Sequence, residues 1–333
     1  MQNFGISTIN DIEKFYIGAV GNERRIVMRT ISFREIANLG IKPVECVEWA
    51  TTVIKNKRNY VLPHKISIAY GDERFFNTMP SYIPEQNLFG VKIVSRIPGR
   101  SPVIKGDIML YDTASGDMKA FIDGTWITAW RTAAVAAVTV KKLKKENAKT
   151  ISIVGLGNIA RAFLMCVDSM ENHKELDIHI LAYKNQHEEF IERFKEYGNI
   201  RFTVHADIKE MFGISDVIVS CVTAATSLFS DDDSVYRPGV LVVPVQTRGF
   251  QNCDLTFDRI FCDDIPHISG FKYFKQYKSV TEMTDVLNDD GFHRGGVDRI
   301  LAYNIGISIQ DIYFASKILE RIEDCKEERK FWV

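Results

Sequence analysis

A glycine-rich stretch is the first place where residue types and spacing indicate chemistry. Residues 155–160 read GLGNIA and directly follow the β-branched, apolar run 150–154. Gly155 allows a tight turn, and Gly157 lets the backbone approach a pyrophosphate at the N-terminus of the helix that follows. A structural glycine turn is the alternative interpretation. The dinucleotide-binding residues predicted here are Gly155, Gly157, Asn158 and Ile159.

Two cations stand inside apolar segments upstream. Lys92 alternates with Val91 and Ile93 in a strand pattern, so it points to the opposite face from them. Arg131 lies in the segment 128–134, TAWRTAA, at the start of an alanine-rich helix pattern. A buried cation is costly unless it meets an anion. Arg131 therefore indicates either a structural ion pair or a site for a carboxylate ligand.

The residue after the second predicted strand of the dinucleotide-binding pattern distinguishes two cofactors. An acid at this position binds the ribose 2′-hydroxyl of NAD. Here the strand ends at Tyr183 and Lys184 follows it. Since an ammonium group can pair with a 2′-phosphate, the sequence favours NADP(H) over NAD(H). In the alternative interpretation, Lys184 is merely exposed and Glu188 or Glu189 supplies the acid for NAD(H).

The elements that must position these groups follow two patterns. Residues before 130 alternate strand-like runs with turns, including a hairpin predicted over 103–122. The pattern after residue 149 alternates strands with helices, which predicts a Rossmann-type parallel sheet in an α/β protein. Helices are predicted over 43–55, 128–145 and 304–324. The strands predicted for the parallel sheet are 150–154, 177–183, 201–205, 216–222, 240–245 and 259–262.

Composition excludes several classes of protein. The 333 residues carry a net charge of −1 and include 46% hydrophobic residues, which is typical of a globular enzyme and gives no field to attract nucleic acid. The six cysteines form no CxxC pair and the histidines do not cluster, so neither a disulfide framework nor a metal site is expected. We find no secretion signal and no apolar run long enough for a bilayer, which predicts a cytoplasmic protein without membrane partners.

Several short segments occur in the order that is typical of one family, over nearly the whole chain. They are Met79-Pro80, Gly90-Val91-Lys92, the strand pair around 111–121, the segments 128–134 and 155–160, Asn304-Ile305-Gly306 and Gln310-Asp311. On these segments the chain resembles the ornithine cyclodeaminase/mu-crystallin family. The resemblance implies a Rossmann domain, predicted at 131–304, and an α+β substrate-binding and dimerisation domain. This second domain is predicted at 1–130 and is completed by the C-terminal helix 305–333.

The resemblance also implies roles for individual residues. Arg131 matches the arginine that binds the substrate carboxylate, and Lys92 matches the lysine that transfers a proton beside the Cα–N bond. Lys65 stands where family members often have a second carboxylate-binding arginine. Met79 is assigned to the substrate site. The positions expected near the cofactor are Thr132 and Thr223.

One position departs from the family pattern. Cyclodeaminases carry an aspartate just past the fifth strand of the Rossmann sheet, where it handles a cationic amine. The segment 243–250, VPVQTRGF, places Arg248 at that position. We therefore hypothesise that this protein does not cyclise ornithine and that Arg248 binds a second anionic group of the substrate. An alignment shifted by a few residues would bring Asp254 to the site instead.

The function expected from these residues is an NAD(P)(H)-dependent oxidoreductase that acts at the Cα–N bond of a small amino or imino acid. Amino-acid dehydrogenase and ketimine reductase activities both fit, and the family implies a homodimer. One alternative is an ornithine cyclodeaminase, which releases ammonia without net change in the cofactor. The other is a mu-crystallin-like protein that binds NADPH and a small carboxylate without turnover.

Overall fold

Two β-sheets organise the residues that the computed structural model describes, which are 28–222, 225, 227–245, 250 and 253–330. The strands of the first sheet are β1 (Arg29–Ile31), β2 (Ile66–Tyr70), β3 (Arg74–Ile83), β4 (Leu88–Arg96), β5 (Ile104–Asp112) and β6 (Met118–Asp123). Their spatial order is β1-β6-β5-β4-β3-β2. The strands β2 to β6 pair antiparallel, and β1 pairs parallel with β6. The hairpin predicted over 103–122 is confirmed as β5 and β6.

The second sheet is parallel throughout the described residues. Its strands are β7 (Thr150–Val154), β8 (Leu176–Leu181), β9 (Ile200–His205), β10 (Val217–Ser220), β11 (Leu241–Pro244), β12 (Arg259–Cys262), β13 (Val280–Glu282) and β14 (Ile300–Tyr303). Their order is β13-β12-β14-β11-β10-β7-β8-β9. The order reverses between β7 and β10, which is the doubly wound arrangement of a Rossmann sheet. The predicted fold class is therefore confirmed.

Helices cover both sheets. The described helices are α1 (Phe33–Ala37), α2 (Pro43–Asn56), α3 (Thr125–Leu143), α4 (Asn158–Met170), α5 (Gln186–Glu192), α6 (Ile208–Ile214), α7 (Ile265–Ile268), α8 (Met283–Asn288) and α9 (Ser308–Lys330). The alanine-rich part of α3 is buried and packs closely on α2 and α4. Among the described helices, none combines the length and the apolar character that crossing a membrane requires.

Most predicted elements form with shifted ends. The helix predicted over 128–145 begins at Thr125, because Gly124 accepts the first backbone hydrogen bond, from Thr128. The strand predicted over 177–183 ends at Leu181, shortly before Lys184 takes a φ of 48° that no strand allows. The predicted domain boundary at residue 130 falls inside α3, and the division into two domains stays a prediction.

Helix α9 returns from the end of the parallel sheet to the first sheet. It packs against β3, β4 and β5 as well as α2 and α3. A Cβ atom at Gly90 of β4 would lie 2.5 Å from Cδ1 of Ile312, so a glycine is needed for this close approach. The return of α9 brings residues near 311 to residues near 92 and 131.

A buried lysine connects the two sheets on one side. Lys57, in the short 3₁₀ helix after α2, extends its ammonium group to the carboxyl end of the parallel strands. Its Nζ lies 2.6 Å from Asp264 Oδ1 and 2.8 Å from Glu282 Oε2, and donates to the carbonyl of Asp263. Burial raises the pKa of Asp264, but hydrogen bonds from His267 and Lys57 outweigh it and hold the pKa at about 2. This ion-pair group fixes α2 against β12 and β13.

Candidate active site

The glycine-rich loop lines a cleft at the carboxyl edge of the parallel sheet. The cleft has a volume of about 510 Å³ and lies between the ends of β7 and β10, where the strand order reverses. Ligands of doubly wound folds bind at this position. Residues lining the cleft include Gly155, Gly157, Leu181, Tyr183, Gln186 and Phe229.

Two glycines give the loop its shape. Gly155 has a φ of 83°, and a Cβ atom there would lie 2.6 Å from the backbone nitrogen of Val222. Gly157 precedes the first turn of α4, and a Cβ atom there would meet no described atom within 4 Å. Asn158 and Ile159 form the first turn of α4, where free N–H groups attract an anion. The loop therefore fits the pyrophosphate of a dinucleotide.

The turn after β8 lies at the other end of the cleft. Tyr183 lines the cleft and is exposed. Lys184 follows in a left-handed conformation, and its Nζ lies 5.3 Å from the centre of the Tyr183 ring. Lys184 itself is exposed and directly follows a residue that lines the cleft.

Lys92 is a buried lysine in the middle of the first sheet. It lies on β4 between Met79 of β3 and Ile108 of β5, which are its direct register partners and share its face. Its side chain is only 1% exposed, and its Cε would lie 2.9 Å from a Cβ atom at Gly106. The stem of the lysine thus occupies the space that a side chain at Gly106 would need.

Asp311 joins Lys92 to Arg131. Lys92 Nζ donates to Asp311 Oδ1 over 2.6 Å, and Arg131 Nε donates to the same oxygen over 3.0 Å. Arg131 Nη1 also donates to Gln310 Oε1 over 3.3 Å. All four side chains are at least nine-tenths buried. The strand β4, the helix α3 and the first turn of α9 therefore meet at one carboxylate.

The guanidinium of Arg131 lies against the backbone of Gly306. A Cβ atom at Gly306 would lie 2.8 Å from Arg131 Cζ, and the φ of Gly306 is 79°. Asp263 holds this turn in place, because its carboxylate accepts from the Gly306 backbone N–H and from Asn304 Nδ2. Burial raises the pKa of Asp263, while the hydrogen bond from Gly306 and the charge of Arg131 oppose this change.

The electrostatics of the cluster favour an anionic ligand. Burial lowers the pKa of Lys92 to about 8; the charge of Asp311 opposes this change and the charge of Arg131 adds to it. Burial also lowers the pKa of Lys65, and again the charge of Arg131 adds to the effect. Both lysines therefore lie within electrostatic reach of Arg131, and a carboxylate ligand would offset the positive charge that Asp311 leaves uncompensated.

The structure brings some of the predicted residues together and separates others. Lys92, Met79, Arg131 and Lys65 share one site. Thr132 is buried beside Arg131, but its hydroxyl donates to the Thr128 carbonyl within α3. These residues lie on β3, β4, α3 and the loop before β2.

The remaining predicted positions are Thr223, Arg248 and Asp254. Thr223 and Arg248 lie outside the described residues, so their predicted roles stay predictions. The carboxylate of Asp254, the alternative to Arg248, is buried elsewhere and accepts from the hydroxyl groups of Tyr277 and Tyr303. It makes no hydrogen bond or ion pair with the described part of the Lys92 cluster.

Sequence reasoning did not assign roles to Asp311, Asp263, Gly106 or Gly306. Gly306 and Asp311 did stand in the segments that carried the family resemblance, so a signal for them was present. Gly106 and Asp263 act through contacts between distant elements, and nothing in their local sequence shows those contacts.

Known proteins resemble this chain over most of its length. A model of the ornithine cyclodeaminase/mu-crystallin family matches residues 45–326. A Δ1-pyrroline-2-carboxylate reductase from Bacillus cereus is 26% identical over 323 residues, covering 88% of this chain and 96% of that protein.

Two solved structures have a similar fold. The Thermococcus litoralis Δ1-pyrroline-2-carboxylate reductase in complex with NADH and L-proline has a TM-score of 0.77 at 21% identity, covering 90% of this chain and 98% of that one. The iminosuccinate reductase of Paracoccus denitrificans in complex with NAD⁺ has a TM-score of 0.75 at 19% identity, covering 90% and 97%.

Proposed function

The chain belongs to the ornithine cyclodeaminase/mu-crystallin family, and we propose that it is an NAD(P)(H)-dependent oxidoreductase acting at the Cα–N bond of a small amino or imino acid. The observation that carries this proposal is the buried cluster of Lys92, Arg131 and Asp311, together with a cleft at the carboxyl edge of the parallel sheet that fits a dinucleotide. Its similarity to reductases of pyrroline-2-carboxylate and iminosuccinate supports an imino acid as the substrate.

Arg131 is suited to bind the substrate carboxylate. Its Nε is engaged by Asp311 and its Nη1 by Gln310, which fixes the plane of the guanidinium and leaves Nη2 and the second hydrogen of Nη1 for a ligand. A guanidinium binds a carboxylate through two parallel hydrogen bonds. Lys65 adds a second positive charge within electrostatic reach of Arg131.

Lys92 is suited to move the proton. When bound, the nicotinamide supplies the hydride that adds to Cα as the C=N bond is reduced. The nitrogen gains the proton that completes the amine, and Lys92 donates it from Nζ. With a pKa of about 8, Lys92 is mostly protonated at neutral pH, which suits reduction. In the oxidative direction the neutral amine of Lys92 takes this proton back.

The cofactor that we propose is NADP(H), with NAD(H) as the alternative. The exposed ammonium of Lys184 at the end of the cleft supports this preference, because it can pair with a 2′-phosphate. The acids of the alternative interpretation, Glu188 and Glu189, lie in the first turn of α5.

We further propose that the substrate carries a second anionic group and that Arg248 binds it. The support is the sequence alone, which places an arginine where cyclodeaminases have an aspartate. An arginine at this position would repel the distal ammonium of ornithine.

The protein is also proposed to form a homodimer through the first sheet. Strand β2 is an edge strand whose five residues are all exposed, and Ile66 and Ile68 are each 64% exposed. An apolar edge strand of this kind is usually covered by a partner. A second copy of the chain would remove both the apolar surface and the unpaired backbone groups from water.

Reduction of imino acids tests the main proposal. We expect turnover with at least one imino acid, measured as the loss of nicotinamide absorbance. We also expect kcat/KM to fall above a pH of about 8, because deprotonation of Lys92 removes the proton donor. Lys92→Met should lower kcat roughly 100-fold or more and leave dinucleotide binding unchanged. Thermal stability should fall, because Asp311 loses one of its two buried cations, while Arg131 keeps this carboxylate paired.

The matched control is Lys105→Met, which replaces a partly exposed lysine on the adjacent strand β5. It should behave as the wild type does. Full activity of Lys92→Met would contradict the assignment of the proton donor. Ammonia release from ornithine without net change in cofactor would instead indicate a cyclodeaminase, and binding without any turnover would indicate a non-catalytic protein.

Titration with the two cofactors tests the role of Lys184. The wild type should bind NADPH more tightly than NADH, and Lys184→Ala should weaken NADPH binding by roughly tenfold while sparing NADH, because one charged hydrogen bond is lost. Nicotinamide fluorescence measures both affinities. Lys195→Ala, an exposed lysine on the surface, is the control. Tighter binding of NADH by the wild type would reject this proposal.

Substrate comparison tests the role of Arg248. For Arg248→Ala, we expect KM to rise roughly tenfold for an imino dicarboxylate and to stay constant for Δ1-pyrroline-2-carboxylate, which has one carboxylate. Arg193→Ala, an exposed surface arginine, serves as the control. An unchanged KM for both substrates would refute the second anionic site.

Sedimentation velocity tests the homodimer. The wild type should sediment at twice the chain mass, and Ile68→Lys should shift it towards the monomer, because a charge would enter the apolar interface. Val297→Lys changes an exposed apolar residue outside the first sheet and should leave the dimer intact. A monomeric wild type would disprove this interface.

A further inference from the structure

Asp311 stands out among the buried groups because one of its oxygens serves two cations. Its carboxylate is fully buried at the start of α9, and Oδ1 accepts from both Lys92 and Arg131. Oδ2 has no hydrogen-bond partner among the described residues. The carboxylate is therefore committed to the cations rather than to the surrounding backbone.

This shared oxygen constrains the geometry of both cations. Arg131 uses Nε, on the inner edge of its guanidinium, so Asp311 sets the direction in which the terminal nitrogens point. Lys92 comes from strand β4 and Arg131 from helix α3, and the two cations would repel each other without an anion between them. One carboxylate thus fixes both the proton donor and the carboxylate-binding group.

We propose that Asp311 is a positioning residue for the reaction, which keeps the proton on Lys92 and orients the guanidinium of Arg131 without touching the substrate. This inference rests on the proposed function, since it concerns the roles of Lys92 and Arg131 in that reaction. Through Asp311, helix α9 contributes to the reaction although it makes no contact with the substrate.

The charges around Lys92 determine the direction of the effect. Asp311 is the anion that raises the pKa of Lys92, whereas burial and Arg131 lower it. The neighbours on the adjacent strands, Met79 and Ile108, carry no charge. Of the remaining ionisable groups near Arg131, Lys65 is a cation and Asp263 is engaged by Gly306 and Asn304. Removal of the Asp311 charge therefore leaves only effects that favour neutral Lys92.

The pH dependence of three variants tests this role. Asp311→Asn should move the basic limb of the kcat/KM profile for imino-acid reduction to lower pH by about 1 unit or more, and should raise KM as Arg131 loses its partner. Asp311→Glu keeps the charge and should keep the limb near its wild-type position. Glu320→Gln alters an exposed residue of the same helix and should change neither quantity. A basic limb that stays in place in Asp311→Asn would overturn the proposal.

A measurement without turnover separates this proposal from the proposed function. NMR of lysines labelled with ¹³C at Cε, with the Lys92 signal identified by its loss in Lys92→Met, follows the titration directly. Titration at lower pH in Asp311→Asn supports the proposal even if no imino acid is reduced, and an unchanged titration overturns it.

If Asp311→Asn does not fold, the triple variant Lys92→Met/Arg131→Met/Asp311→Asn decides. We expect it to fold and bind the dinucleotide, because both cations that needed Asp311 are gone. If the triple variant also fails to fold, Asp311 is a general structural residue and the proposal is wrong.

Discussion

The burial of two cations beside one carboxylate is the constraint on which the rest of this structure depends. An ammonium or guanidinium removed from water must find an anion, or its burial is prohibitively costly. Lys92 lies on β4 and Arg131 on α3, and both elements precede the parallel sheet in the sequence. Their counter-ion, Asp311, lies on α9, which follows that sheet. The chain must therefore return across the molecule to complete the site.

Glycines make this return possible at three places. Gly90 lets α9 approach β4, Gly106 leaves space for the stem of Lys92, and Gly306 leaves space for the guanidinium of Arg131. The same principle operates at Gly155, where the loop of the parallel sheet approaches the neighbouring strand. These glycines, which contribute no side chain, thus help to bring the cation cluster and the cleft to the carboxyl edge of the parallel sheet.

Sequence patterns predicted the fold class, the hairpin and the cleft because these depend on local signals. Strands β13 and β14 were not predicted from the sequence. Lys92 and Arg131 were found through a family resemblance and their apolar surroundings. The role of Asp311 could not be predicted because it depends on a contact that spans 219 residues of sequence. Gly106 could not be predicted either, because its importance arises from a neighbour's side chain.

That long contact has a consequence for the growing polypeptide on the ribosome. Synthesis delivers Lys92 and Arg131 well before Asp311, so the unfinished chain holds two positive groups with no counter-ion to accompany them into the interior. Until α9 is synthesised, burial of either group would leave its charge without this carboxylate, which favours keeping both groups hydrated. The cation cluster is consequently completed only after the last described helix has been made.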